Sequence, residues 1–145
     1  MALYSDQTII FQPMTSYYHV SNSGAVSGWK TLTWANSEIT NSGLTHSSGN
    51  FTVNGSQYAG YYYVTFNHLH LNGSHDNYWL RIVNSGLNRC AYQRSRDGDG
   101  QGVSCIMYLA SGWSYSCSVY HGNSSHACSS ADRCCRTSAF RLNNI

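Results

Sequence analysis

The chain has 145 residues, 10% of them charged, and a formal net charge of +2. That is one domain's worth of sequence, long enough to bury a real core. Charge this sparse excludes the dense basic stripe that generic nucleic-acid binding requires, and it argues against charge-driven disorder. Serine (23), asparagine (13) and glycine (13) dominate, tyrosine reaches 12 and tryptophan 4, and proline occurs once, at Pro13. These are sheet and turn residues, so long helices, helical bundles and Rossmann-type folds are excluded. No apolar run reaches the roughly 18 residues of a membrane-spanning helix, and no membrane insertion is expected.

In chain order, short apolar or aromatic runs alternate with Gly, Ser and Asn clusters. Residues 8–11 read as a first strand, and residues 29–34 (WKTLTW) alternate as a half-buried strand should. Phe51-Thr52-Val53 follows a Gly-Asn turn. Residues 60–71 (GYYYVTFNHLHL) form the strongest segment, with Tyr62, Val64 and Phe66 on one face and Tyr61, Tyr63 and Thr65 on the other. Further strands are expected at 78–83, 90–93, 103–109, 115–120 and 138–142. About eight to ten strands with regular turn signals predict a single all-β domain over residues 1–145, an antiparallel sandwich or barrel.

Six cysteines (Cys90, Cys105, Cys117, Cys128, Cys134 and Cys135) all lie in the C-terminal part. With no C-x₂-C pair to suggest zinc, they read as disulfide candidates. Four Asn-X-Ser/Thr sequons, at Asn50, Asn54, Asn72 and Asn123, are glycosylation candidates. Together these features favour a secreted, extracellular protein. The opening Met1-Ala-Leu-Tyr-Ser-Asp6 lacks the charged and apolar stretches of an export signal, so export needs a leader outside this stretch or removed from it.

Reactive constellations are few. His68-x-His70 puts two imidazoles on one strand face, with His75 and Asp76 nearby, as a zinc or copper pair could require; edge or interface histidines read equally simply. Asp97-Gly-Asp99-Gly-Gln101 could wrap calcium with two carboxylates, but it lacks the rest of an EF-hand loop and also reads as a solvated turn. No other cofactor is suggested. There is no G-x-S-x-G elbow, no phosphate loop and no paired carboxylates in an apolar strand, so no enzyme is expected. Arg81, Arg89, Arg94 and Arg96 form a local basic group, suited to carboxylate, sulfate or phosphate.

Three stretches, in order, resemble the superfamily of the complement 1q globular head and tumour necrosis factor (TNF). The first is Gly49-Asn50-Phe51-Thr52-Val53 followed by Gly60-Tyr61-Tyr62-Tyr63-Val64-Thr65-Phe66. The second runs from Cys105-Ile-Met-Tyr-Leu109 through Gly112 to Tyr115, and the third is Ser138-Ala139-Phe140-Arg141-Leu142. Trp29-x-x-Leu32 is similar to an early tryptophan strand on the TNF side. The chain departs from the pattern in a longer gap between Phe51 and Gly60, in Trp113 where an acidic residue is usual, and in Thr137-Ser138 of the last strand.

The resemblance implies a jelly-roll sandwich of two five-stranded sheets that assembles as a homotrimer. Tyr61, Tyr62, Tyr63, Phe66, Tyr108 and Phe140 are then expected at the trimer interface. Cys90 and Cys105 would lie on neighbouring strand ends and pair. Ligand contacts are expected from loops at one end of the molecule, through His75, Asn77, Arg94, Arg96, Asp97, Asp99, Trp113 and His121. The implied function is a secreted recognition module for glycans or acidic surfaces. A TNF-like cytokine with a receptor between protomers, or a structural extracellular protein, are the alternatives.

Overall fold

The computed structural model describes residues 10–19, 28–34, 36–68, 78–85, 90–95, 101–121 and 135–143. Its elements, in order, are β1 (Ile10–His19), β2 (Gly28–Thr31), β3 (Asn36–Thr40), β4 (Leu44–Ser47), β5 (Asn50–Val53), a 3-10 turn (Ser56–Tyr58), β6 (Gly60–His68), β7 (Tyr78–Asn84), β8 (Ala91–Ser95), β9 (Gln101–Leu109), β10 (Ser114–His121) and β11 (Cys135–Asn143). They form two five-stranded sheets, ordered β3-β1-β11-β6-β9 and β4-β5-β10-β7-β8, with every pair antiparallel. The fold is an all-β jelly-roll sandwich. β2 is an extra segment beside the second half of β10, beyond the point where β5 stops pairing; there the Leu32 amide donates to the Cys117 carbonyl at 2.9 Å.

Side-chain alternation explains the core. On β6, Tyr62, Val64, Phe66 and His68 point inward and are buried, while Tyr61 faces out. β9 contributes Met107 and Leu109, β10 contributes Tyr115, Cys117 and Val119, and β7 contributes Leu80 and Ile82. Phe51 stacks on Tyr115 with centroids 4.8 Å apart, and Trp34 meets Phe66 edge-on at 6.0 Å. Each such side chain removed from water contributes about 1.5–3 kcal/mol. The buried Tyr62 hydroxyl donates to the Tyr58 carbonyl at 2.6 Å, and burial pushes its pKa up to about 12.

Two polar links tie the sheets together. Asn84 on β7 donates from Nδ2 to the Tyr108 carbonyl on β9 at 3.1 Å. Cys117 on β10 donates to Thr137 Oγ1 on β11 at 3.4 Å, and that hydroxyl donates to the Thr65 carbonyl on β6 at 2.9 Å. The buried Asn84, Cys117 and Thr137 side chains thus find partners across the sandwich, as burial demands.

Several elements differ from the sequence expectation. The strands at β3 and β4 were not expected. Their residues (NSEIT and LTHS) are mostly polar because both strands are sheet edges, where fewer side chains are buried. The first strand runs on to His19, past Pro13. Pro13 pairs with Phe140 and Thr15 with Ala139, so Met14 is the extra residue of a bulge, and its side chain is fully buried. A bulge is where a strand accepts proline, which has no amide to donate. The long gap between Phe51 and Gly60 is filled by the 3-10 turn.

The β4–β5 hairpin turns through Ser48 and Gly49, both at positive φ (48° and 84°), the signature of a two-residue primed turn. A Cβ on Gly49 would lie 2.5 Å from the Leu32 carbonyl oxygen, a backbone atom. Gly49→Ala therefore combines strain with a clash and should cost at least about 1–2 kcal/mol. Thermal unfolding should show a clearly lowered midpoint, whereas Ala at exposed Ser42 should leave it nearly unchanged.

Candidate functional site

Two aromatic surfaces lie on opposite sides of the sandwich. The first is the outer face of the β3-β1-β11-β6-β9 sheet. Inward placement of Tyr62, Val64 and Phe66 forces Tyr61 and Tyr63 outward. The register then lines up Phe140, Tyr63 and Ile106 in one row across β11, β6 and β9, and Leu142, Tyr61 and Tyr108 in the next. Ile106 is 60% exposed, Tyr61 46% and Tyr108 45%, and Tyr61 meets Tyr108 edge-on at 5.4 Å. Exposed Ile106 and Tyr108 on the edge strand β9, beside Tyr61 and Tyr63 on β6, make a contiguous apolar patch that is costly for an isolated soluble domain.

The second surface is the outer face of the opposite sheet. Trp79 and Arg81 on β7 and Tyr120 on β10 point outward, opposite to the buried Leu80, Ile82 and Val119. Arg81 pairs in register with Tyr92 on one side and Ser118 on the other, and Trp79 pairs with Tyr120. β2 adds Trp29, next to the 3.3 Å hydrogen bond between the Thr31 and Ser118 hydroxyls. Trp79 lies 4.9 Å from Tyr92, and Trp29 lies 5.6 Å from Tyr120 and 6.1 Å from Tyr92. The Arg81 guanidinium sits 4.0 Å from the centroid of the Trp29 ring. Trp29, Trp79, Tyr92 and Tyr120 line a pocket of about 210 Å³. The sequence motifs singled out Trp29 alone, as part of an early strand, and did not group these four residues, which come from four separate strands.

The residues expected from sequence are placed as follows. Tyr62 and Phe66 are fully buried in the core, so the expectation that they form an intersubunit interface is corrected: the alternation that sends Tyr61 out sends them in. Tyr61, Tyr63, Tyr108 and Phe140 do share the outer face. Trp113 is exposed in the turn between β9 and β10. Arg94 is on β8 opposite Trp79 in register, and His121 is the last residue of β10, opposite Tyr78. His75, Asn77, Arg96, Asp97 and Asp99 lie outside the described residues, as do His70 and the sequons at Asn72 and Asn123. Thus neither the calcium loop nor the histidine pair is described in full. His68 itself is 1% exposed, at the inner end of β6. Among the described residues no group of three or more His, Cys, Asp or Glu side chains could hold a metal. Asn50 and Asn54 are exposed; Asn54 donates from Nδ2 to the Ser42 carbonyl at 3.1 Å.

The cysteines divide. Cys90, Cys105 and Cys117 are free thiols, so the expected Cys90–Cys105 bridge is not formed; Cys90 and Cys105 instead pack half-buried against the core, as small apolar side chains do. Cys135 is disulfide-bonded, with its partner outside the described residues. Burial pushes the Cys105 thiol up to about 12, with the neighbouring Cys90 adding to the effect. Burial likewise pushes Cys117 up to about 12, against the opposing hydrogen bond to Thr137.

No known sequence family matches the chain, and no curated protein matches it. Solved structures do match in fold. Among them is the PRD1 vertex protein P5, at 15% identity with a TM-score of 0.63, covering 92% of this chain and 74% of that one. An identity this low speaks for the jelly-roll sandwich and for nothing finer.

The thiols yield a pH prediction. A folded pKa raised from 9.0 to about 12 stabilises the fold below pH 9, and the contribution is lost as pH rises through 12. The denaturation midpoint should therefore fall across that interval, and Cys117→Ala, though less stable at neutral pH, should show a shallower fall. An unchanged slope in the variant would contradict the assignment to Cys117.

Proposed function

We propose that the chain is an extracellular, non-enzymatic recognition module of the complement 1q/TNF kind, assembled as a homotrimer, that binds glycan or acidic surface ligands. The observation that carries this reading is the exposed patch of Tyr61, Tyr108 and Ile106 on the outer face of the first sheet, Tyr61 paired with Tyr108 and Ile106 in register with Tyr63 and Phe140. An aromatic face with tyrosine hydroxyls at its edges suits protein contact, where ring area is buried and each hydroxyl finds a partner. Copies of the same chain are the simplest occupants, and three copies would present three identical sites, raising avidity without a tight single site. The jelly-roll architecture and the motif order at residues 49–66, 105–115 and 138–142 support the family reading. The Cys135 disulfide supports an oxidising compartment.

A second reading has one observation in its favour. The likeness to a vertex protein suits a structural role, in which assembly itself is the function. The two readings differ in whether the purified assembly binds a soluble ligand.

Light scattering of the full chain should give a mass near three times 16.1 kDa. Ile106→Arg places a charge on the edge strand β9 within the patch, beside Tyr63 in register, and desolvating an unpaired charge costs several kcal/mol. It should yield a folded monomer. A native chain that runs as a monomer, or an Ile106→Arg variant that still assembles, would contradict the proposed interface.

A further inference from the structure

We propose that the pocket formed by Trp29, Trp79, Tyr92 and Tyr120 binds a single pyranose ring of a glycan. This places ligand contact on the outer face of the β4-β5-β10-β7-β8 sheet, away from the end loops. It depends on the recognition reading for the class of ligand, but not on the trimer.

Size, ring geometry and charge each narrow the occupant. The volume of about 210 Å³ lies below the roughly 300–1,000 Å³ of pockets for drug-sized molecules, so it admits one ring-sized group. The walls are not parallel: Trp29 is tilted by 53° to both Tyr92 and Tyr120, and Trp79 by 55° to Tyr92. A flat base or an aromatic side chain stacks best between parallel faces, and none of these three ring pairs offers such a slot. A puckered pyranose presents C–H groups on both faces and can rest in a bowl of tilted rings. Its equatorial hydroxyls then project to the edges, where tyrosine O–H and indole N–H groups are the available polar partners.

Charge excludes the other common occupant of an aromatic cage. Four rings could surround a quaternary ammonium, but such cages rely on π-faces left open to the cation. Here the Arg81 guanidinium already lies 4.0 Å from the Trp29 centroid, and no carboxylate lines the pocket among the described residues. A second cation would be repelled. Arg81 instead acts as a positioning residue: it stands between Tyr92 and Ser118 in the sheet and holds the Trp29 ring over it. Trp29 and Tyr92 nonetheless remain 36% and 37% exposed, so ring surface is open to a ligand.

The test is a titration of the full chain with methyl β-galactoside, methyl β-glucoside and N-acetylglucosamine, reading the indole N–H signals in ¹H–¹⁵N spectra. Choline and adenosine are run in parallel. At least one sugar should shift the Trp29 and Trp79 signals and saturate with a Kd on the order of 1 mM, weak as single-ring sites are. Choline and adenosine should leave them in place. Trp79→Ala should weaken sugar binding about tenfold or more. Tyr92→Ala, on an edge strand, should do the same, and it keeps the test decisive if the tryptophan variant fails to fold. The proposal is overturned if no sugar shifts these signals, if choline or adenosine does so instead, or if Tyr92→Ala binds sugar as well as the native chain. A monomeric chain that binds sugar would remove the trimer and leave the pocket; a trimer that binds none would remove only the pocket.

Discussion

The alternation of side chains along β6 constrains more of this molecule than any other feature. β6 is an interior strand, paired with β11 on one side and β9 on the other. Its inward residues, Tyr62, Val64 and Phe66, are fully buried and anchor the core. A slip by one residue would exchange them for Tyr61, Tyr63 and Thr65, so the register is strongly specified. The same rule leaves the outward residues no choice. Tyr61 and Tyr63 must face away from the core, and antiparallel pairing sets Tyr108, Ile106 and Phe140 beside them. One strand therefore builds the interior and an aromatic exterior at once.

The two sheets divide the work between them. The first carries a broad apolar face suited to copies of the chain. The second buries its inner residues in the same core but turns a compact aromatic bowl outward. In the proposed reading, assembly and ligand contact would fall on opposite sides of one sandwich and would not compete. The Asn84–Tyr108 and Cys117–Thr137–Thr65 hydrogen bonds cross between the sheets and fix their relative position. Under that proposal, binding at the bowl would need no rearrangement of the interface, which would favour a rigid multivalent display over a switch.

Much of the architecture was legible because it is written locally. Segments expected at 78–83, 103–109 and 115–120 alternate, or are apolar enough, to read as strands directly, and the Gly49-Asn50 turn signal lies one residue from the Ser48-Gly49 hairpin turn. The polar edge strands β3 and β4 were not legible, since neither has the apolar stripe that reveals a strand. The triple tyrosine misled when it was taken as one block: its own alternation already separates Tyr62 from its neighbours. The aromatic bowl could not be read at all. Trp29, Trp79, Tyr92 and Tyr120 meet only through the pairing of β7 with β8 and β10 and the placement of β2, all non-local. Neither do cysteine spacings carry the Sγ geometry that decides a bridge, and Cys90 and Cys105 show the consequence.

The most direct test of the account is nitration of surface tyrosines, mapped by peptide mass spectrometry at high and low protein concentration. Tyr92, 37% exposed on the opposite sheet, serves as the internal reference, against 46% and 45% for Tyr61 and Tyr108 in the single chain. If copies of the chain cover the first sheet, Tyr61 and Tyr108 will be protected in the concentrated sample and will react on dilution, while Tyr92 reacts alike in both. Nitration of Tyr61 and Tyr108 at the rate of Tyr92 at every concentration would contradict the claim that this face is built for assembly.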